Sequence, residues 1–214
     1  MGRDAVRVLD LFCGAGGAAA GYHQAWPDAE IVGVDLVHQP RYPFTFVQGD
    51  ATTYPLDGFD FVHASPPCHD HSALRSRTGL DHGTGWMLEQ TLARLEAWGG
   101  LWVVENVDQA DFGNRYRVRL CGSSFGLQVR RHRWFATNVA LIAPACRHAE
   151  QGQPLGVYGT GGGGQMTRGR KATPAEAKVA MGIDWMNRYE LSQAIPPAYS
   201  RFIAEQLRPV ERAA

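Results

Sequence analysis

The chain carries no excess of either charge: 21 Lys and Arg stand against 21 Asp and Glu in 214 residues. A field of the whole protein therefore cannot be what draws it to a nucleic acid or an anionic surface. No apolar run approaches the roughly 20 residues a membrane helix needs, so no span is expected. There is no CxxC pair. The four cysteines, Cys13, Cys68, Cys121 and Cys146, are scattered, which favours free thiols over a disulfide frame and fits a reducing compartment. The opening, MGRDAVRVLDLF, enters a strand-like run without a basic-then-apolar leader, so secretion is not expected and a cytoplasmic setting is. No internal repeat is visible, and Gly161 to Gly164 is the one low-complexity stretch. The length suits one well-filled core with modest additions, not two ordinary domains.

Charge is instead local. From Arg115 to Arg133, RYRVRLCGSSFGLQVRRHR holds six arginines, one histidine and no acid, and RGRK covers Arg168 to Lys171. Both stretches are candidate phosphate-contacting surfaces; a solvated basic face balanced by acids elsewhere is the plainer alternative. Short β-branched runs recur as VRVLDLF (6–12), IVGVD (31–35), FDFVHA (59–64) and LWVVEN (101–106). Between the last two, WMLEQTLARLEAW puts Leu88, Leu92 and Leu95 on one helical face and stops at Gly99-Gly100, an ordinary terminator. Strands alternating with helices imply an α/β fold, an open and mostly parallel sheet covered on both faces. Such sheets bind ligands at the carboxyl ends of their strands. Here those ends read CGAGG, Asp35, SPPC and ENV.

After Phe135 helical periodicity is lost, and residues 139 to about 172 read as a small irregular lobe. Order returns with a helix capped by Thr173 with Pro174 first, and with another opening at Pro196-Pro197. Trp86, Trp98 and Trp102 read as core.

DLFCGAGGAAAGY fits strand, tight turn and helix, with Gly14-Ala15-Gly16 and Ala19 satisfying G-x-G-x-x-A. Such a loop lets backbone approach a cofactor closely. Asp35 is placed to accept from ribose hydroxyls, and Asp50, after FTFVQG, could act similarly. The loop implies an adenosine-containing cofactor, and NAD and S-adenosylmethionine both qualify. Two prolines ahead of Cys68 stiffen the turn and fix the thiol's direction, and nearby cations could raise its thiolate fraction. Glu105, at another strand end and partly dry, could stay protonated and donate to a ring nitrogen. Nucleophile, acid and arginines together suggest covalent catalysis on a planar electrophile. His69, Asp70 and His71 are weak metal candidates, because a metal held through Cys68 would remove the nucleophile. Cys146 and His148 make half a zinc set; without two further ligands at convincing spacing, a packed lobe is the better reading. No metal is expected.

In this order and spacing, DLFCGAGG, GVD, SPPC, ENV, RRHRWF and QAIPPAYSRFIAEQL resemble the cytosine-C5 DNA methyltransferases, in a short form like those often encoded by phages. The resemblance covers nearly the whole chain except the glycine-rich lobe. It implies a Rossmann-like S-adenosylmethionine-dependent methyltransferase domain from residues 1–138 and 185–214, with 139–184 as a small target-recognition lobe. Phe12, Cys13, Gly14, Ala15, Gly16 and Gly17 would wrap the methionine end of the cofactor. Asp35 would hold its ribose, Asp50 would lie near its adenine, and Pro67, Gln193 and Ala194 would also approach it. Cys68 would attack C6 of a cytosine flipped from the duplex, making C5 nucleophilic enough to take the methyl group. Glu105 would bond the N3 and N4 edge, while Arg131 and Arg133 match the R-x-R pair near the base. Loss of the C5 proton and expulsion of Cys68 would close the cycle, and Asn106 would brace the proline-cysteine loop. Ser72, Arg75, Arg77, Arg168, Arg170 and Lys171 would face DNA. Double-stranded DNA is the implied partner, for a monomer or weak dimer in a bacterial or phage-infected cell.

The chain departs from that pattern in three places. His69 and His71 replace a Gln and an aromatic, Val129 replaces a Gln that Gln128 neighbours, and Ser192-Gln193 replaces Gly-Asn. A cytosine-C5 RNA methyltransferase and a catalytically weak DNA-binding module on the same fold are the alternatives, with a nicotinamide enzyme more distant.

Overall fold

The computed structural model describes residues 5–67, 85–158 and 170–207. Seven strands form one sheet: β1 (Arg7–Leu11), β2 (Glu30–Asp35), β3 (Thr45–Gln48), β4 (Phe61–Ala64), β5 (Leu101–Asn106), β6 (Tyr116–Leu120) and β7 (Arg133–Thr137). Their order is β3-β2-β1-β4-β5-β7-β6, and β7 runs antiparallel to both neighbours. The remaining pairs are parallel. The result is the mostly parallel α/β sheet expected of a Rossmann-like methyltransferase fold.

Period-two alternation explains why the strands lie flat between two layers. Val8, Phe61 and Val103 turn to one face, where α1 (Gly17–Ala25) and the C-terminal helix Pro197–Gln206 supply Ala19, Tyr22, Tyr199 and Ile203. Leu9, Val62 and Val104 turn to the other, where α2 (Gly85–Trp98) supplies Leu88, Leu92 and Leu95. Full burial of each leucine contributes about 1.5–3 kcal/mol. α2 stops at Gly99, whose φ of 73° suits the left-handed turn that ends a helix. Trp102 belongs to the core, but Trp86 is 53% exposed, correcting the reading of that tryptophan as core: two residues ahead of Leu88, it falls on the opposite side of the helix from the buried leucines.

The irregular lobe holds a short helix, α3 (His148–Gln151), and a two-stranded parallel ladder of β8 (Leu155–Gly156) with β9 (Arg170–Lys171). α4 (Pro174–Met181) carries a complete capping box between Thr173 and Glu176. Val157, Ala172, Ala177, Ala180 and Met181 share an apolar cluster with Ala15, Val129, Met186 and Leu191. This cluster packs the lobe directly under the glycine loop. α5 (Arg188–Gln193) and α6 (Pro197–Gln206) complete the chain as described.

The arginines from 115 to 133 do not form one open phosphate surface. Arg115 pairs with Glu96 at 2.7 Å, and Arg117 and Arg119 lie 5.3 and 5.8 Å from the centre of the Trp134 ring. Arg130 donates to Gln151 Oε1 and to the carbonyls of His148 and Gly152. Arg131 and Arg133 turn inward. Arg117 and Arg119, two apart on β6, share the Trp134 face, while the connection to β7 sends Arg130, Arg131 and Arg133 to other partners, which charge counting does not register.

Candidate active site

The loop after β1 is bent by its backbone. Phe12 has φ 56°, Gly14 48° and Gly16 83°. A non-glycine residue in that region stores about 1–3 kcal/mol and persists only where its surroundings enforce it. Gly16 is the N-cap of α1, and at Gly17 an added Cβ would stand 2.3 Å from the Ile195 carbonyl oxygen and 3.3 Å from Ala194 Cβ. The last segment of the chain thus presses against the loop and brings Ala194 beside Gly17. Trp185, which sequence reasoning missed, donates its indole N–H to Ala15 O at 2.9 Å.

Asp35 is half-buried, and it braces this loop. Gly14 N donates to Oδ2 at 3.0 Å and Val37 N to Oδ1 at 2.9 Å. Each carboxylate oxygen accepts more than one bond, so acceptor capacity remains for a hydroxyl. Asp50 is exposed at the end of β3, where Oδ1 accepts from Thr52 N at 2.8 Å and Thr52 Oγ1 at 2.7 Å, fixing the carboxylate in a turn. Asp10 is buried beneath the loop and accepts from Tyr42 OH at 3.3 Å; burial pushes its carboxyl well up. Gln193 donates to Ser192 Oγ at 3.2 Å, one residue from Ala194.

The acid lies two strands away. Glu105, near the end of β5, is 7% exposed, and Arg133 Nε meets its Oε1 at 2.8 Å. Arg133 Nη1 also donates to its neighbour's carbonyl, His132 O, at 2.8 Å. Burial pushes the Glu105 carboxyl up, and Arg133, Ser65 and Arg131 pull it back only in part. A carboxyl so placed holds a proton more readily than an exposed one. Asn106 donates to Pro66 O at 3.1 Å and accepts from Val107 N, so it braces the turn before Cys68 as expected. Cys68, His69, Asp70, His71, Ser72, Arg75, Arg77 and Arg168 lie outside the described residues. Pro67 is the last described residue of that turn.

A buried chain that the sequence did not reveal runs behind Glu105. Tyr22 OH lies 2.8 Å from His63 Nδ1, His63 Nε2 lies 2.8 Å from Ser65 Oγ, and Ser65 bonds the Glu105 side chain. An ionised Glu105 only accepts, so Ser65 then donates to it, His63 Nε2–H donates to Ser65, and Tyr22 donates to Nδ1. Burial keeps His63 neutral, with its pKa lowered to about 3. A lowered value stabilises the fold above the unfolded histidine pKa near 6.5, and this contribution is lost as pH falls toward 3. Unfolding free energies measured from pH 6.5 down to 4 should therefore fall less steeply in His63→Gln than in wild type. One proton accounts for a slope difference of up to about 1.4 kcal/mol per pH unit.

Arg131 stands apart from Arg133. It is 3% exposed, and Nη1 donates to Ser192 O at 3.0 Å and Ala194 O at 2.7 Å, while Nη2 donates to Val157 O at 2.5 Å. Its own carbonyl accepts from Tyr199 OH at 2.6 Å. The guanidinium is therefore occupied as a clamp, joining the lobe to the segment beside the glycine loop, and of the R-x-R pair it is Arg133 that reaches the acid. Arg170 and Lys171 are exposed on β9, and Arg170 Nη1 donates to Glu176 Oε2 at 2.8 Å. Elsewhere, Cys121 and His132 lie beside Cys146 and His148, two further candidate ligands that spacing along the sequence did not show.

No protein-family model and no curated protein sequence matches the chain. Among solved structures, a methyltransferase of Entamoeba histolytica, EhMeth, superposes with a TM-score of 0.62 at 10% identity, over 95% of this chain and 98% of that one. At that identity the likeness is one of fold. A human methyltransferase 10 domain containing protein gives a TM-score of 0.43 at 12% identity over 64% and 72% of the two chains. A predicted O-methyltransferase of Agrobacterium tumefaciens gives 0.40 at 17% over 67% and 81%. No helix among the described residues is long and apolar enough to cross a membrane.

Proposed function

We propose that the protein is an S-adenosylmethionine-dependent methyltransferase acting on C5 of cytosine in DNA. The observation that carries the reading is the Glu105–Arg133 pair at 2.8 Å, set at the strand end beside the proline turn that Asn106 holds ahead of Cys68. The fold shared with a methyltransferase structure over 98% of that chain supports the reaction class.

The residues on the cofactor side fit the donor. The glycine loop leaves open space at Gly14, where an added Cβ would meet nothing within 4 Å, the following helix N-terminus favours an anionic group, and Asp35 and Asp50 offer acceptors at successive strand ends for hydroxyl and amino groups. When bound there, S-adenosylmethionine supplies the methyl group as an electrophilic carbon. The chain does the rest. Glu105 supplies a proton to the N3 edge as the ring gains electron density, and Arg133 orients that carboxyl. Cys68 supplies the electron pair for C6, and once C5 carries the methyl group its proton is lost to solvent and the Cys68 thiolate leaves C6 with the bonding pair, restoring the ring. The lobe of residues 139–184, with Arg170 and Lys171 on its outer ladder, is the candidate for base recognition.

Incubation with S-adenosylmethionine tritiated in the methyl group and with duplex DNA or transfer RNA separates the readings. Label is expected in DNA, and base-resolution methylation sequencing of DNA from expressing cells should then give one sequence context. Label confined to RNA would instead make it the RNA enzyme, and binding to DNA without turnover would make it a binding module.

A further inference from the structure

We infer that Cys121, His132, Cys146 and His148 bind one structural zinc ion that fastens the lobe to the sheet edge. One ligand atom from each lies within 4.8 Å of all the others. Cys121 Sγ is 3.3 Å from His148 Nε2, and Cys146 Sγ is 3.5 Å from His132 Nε2. Around a tetrahedral zinc with bonds of roughly 2.3 Å to sulfur and 2.0–2.1 Å to nitrogen, neighbouring donor atoms stand about 3.3–3.8 Å apart. The two sulfur–nitrogen separations agree with those edges. Two thiols and two imidazoles are the donor set that tetrahedral zinc takes in closed structural sites, with no position left for a substrate.

The fold assembles the set before any ion arrives. Leu120 on β6 pairs with Arg133 on β7, so antiparallel register puts Cys121 opposite His132 at the next step. The other two ligands are His148, the first residue of α3, and Cys146 just ahead of it, and three contacts hold that segment against the connection between β6 and β7. Arg147 N donates to Ser123 Oγ at 3.0 Å, Ser124 Oγ donates to Ala145 O at 2.9 Å, and Arg130 Nη2 donates to His148 O at 2.9 Å. Ser123 Oγ also lies 3.2 Å from Cys121 Sγ, a hydrogen-bonding neighbour of the kind that orients metal ligands. No familiar finger spacing announces the site, because half of it is made by strand pairing and half by the chain's return. His132 lies between Arg131, the lobe clamp, and Arg133, the partner of Glu105. An ion on His132 would therefore steady both arginines.

Zinc content of the purified full chain tests this, whatever the methyl acceptor proves to be. Elemental analysis should give one zinc per chain in wild type, Cys13→Ser and Cys68→Ser, and below about 0.1 in Cys121→Ser and Cys146→Ser, since a missing thiolate weakens such sites steeply. Wild-type protein stripped by chelator and titrated with Co2+ should show the visible bands of tetrahedral cobalt and a thiolate charge-transfer band. His148→Cys should keep the metal and strengthen that band, which covers the case of serine variants that fail to fold. Wild type with neither zinc nor a tetrahedral cobalt spectrum would overturn the inference. So would zinc that survives both serine changes, or that disappears in Cys68→Ser instead.

Discussion

Cys68→Ala is expected to abolish the covalent complex that wild-type protein forms with duplex DNA carrying 5-fluorocytosine, and Glu105→Gln is expected to lower kcat about 10²–10⁴-fold, the usual contribution of a positioned acid. The two changes interrupt different parts of one reaction. Alanine at 68 removes the electron pair that C6 needs, so no adduct forms however well DNA and cofactor bind. Glutamine at 105 keeps the shape and a donor N–H but has no proton to share. It also removes the charge facing Arg133, now 2.8 Å from Oε1, leaving a cation that is 20% exposed with fewer partners. Because the loss arises as the ring gains electron density, KM for DNA should change little while kcat falls. Single-turnover transfer and adduct formation on denaturing gels measure the two effects. An undiminished adduct in Cys68→Ala would sink the nucleophile assignment, and an unchanged kcat in Glu105→Gln would sink the acid.

The parts of this fold that follow from local pattern were legible in the sequence. Alternating β-branched runs gave the central strands, leucine spacing gave the buried face of α2, and Thr173 with Pro174 gave a capped helix start. The strand-end rule gathers the glycine loop, Asp35, the proline turn and Glu105 at one edge of the sheet from the sequence alone. What stayed hidden depends on pairing between distant segments. Arg131 and Arg133 look equivalent as R-x-R, yet Arg131, two residues before β7, is drawn under the lobe by three carbonyls while the strand residue reaches Glu105. His63 sat inside an apolar run with nothing to announce Tyr22 and Ser65 on its two ring nitrogens. Cys121 and His132 became neighbours only through antiparallel register.

Replacing Arg131 should cost more stability than any single surface change. Arg131→Ala strips donors from the carbonyls of Ser192, Ala194 and Val157, and each buried polar group left unsatisfied costs about 1–3 kcal/mol. A total loss of at least about 3 kcal/mol is expected, which for a chain of this size lowers Tm by roughly 6–12 °C. Burial already disfavours the guanidinium's charge, with the Arg133 charge adding to the effect, and lowers its pKa to about 10. At that value the guanidinium is still a cation at neutral pH, and the three carbonyls accept from it in that form. Arg131→Lys should recover little: an ammonium is a point donor and cannot span three carbonyls set for a planar fork. Calorimetry on wild type and both variants measures this, and a Tm within 2 °C of wild type for Arg131→Ala, roughly the effect of a surface change, would refute the clamp. Because the clamp ties Val157 of the lobe to Ala194 beside Gly17, the destabilised variant should also bind S-adenosylmethionine more weakly at temperatures where it remains folded. That outcome would separate a clamp serving the cofactor site from one that merely adds stability.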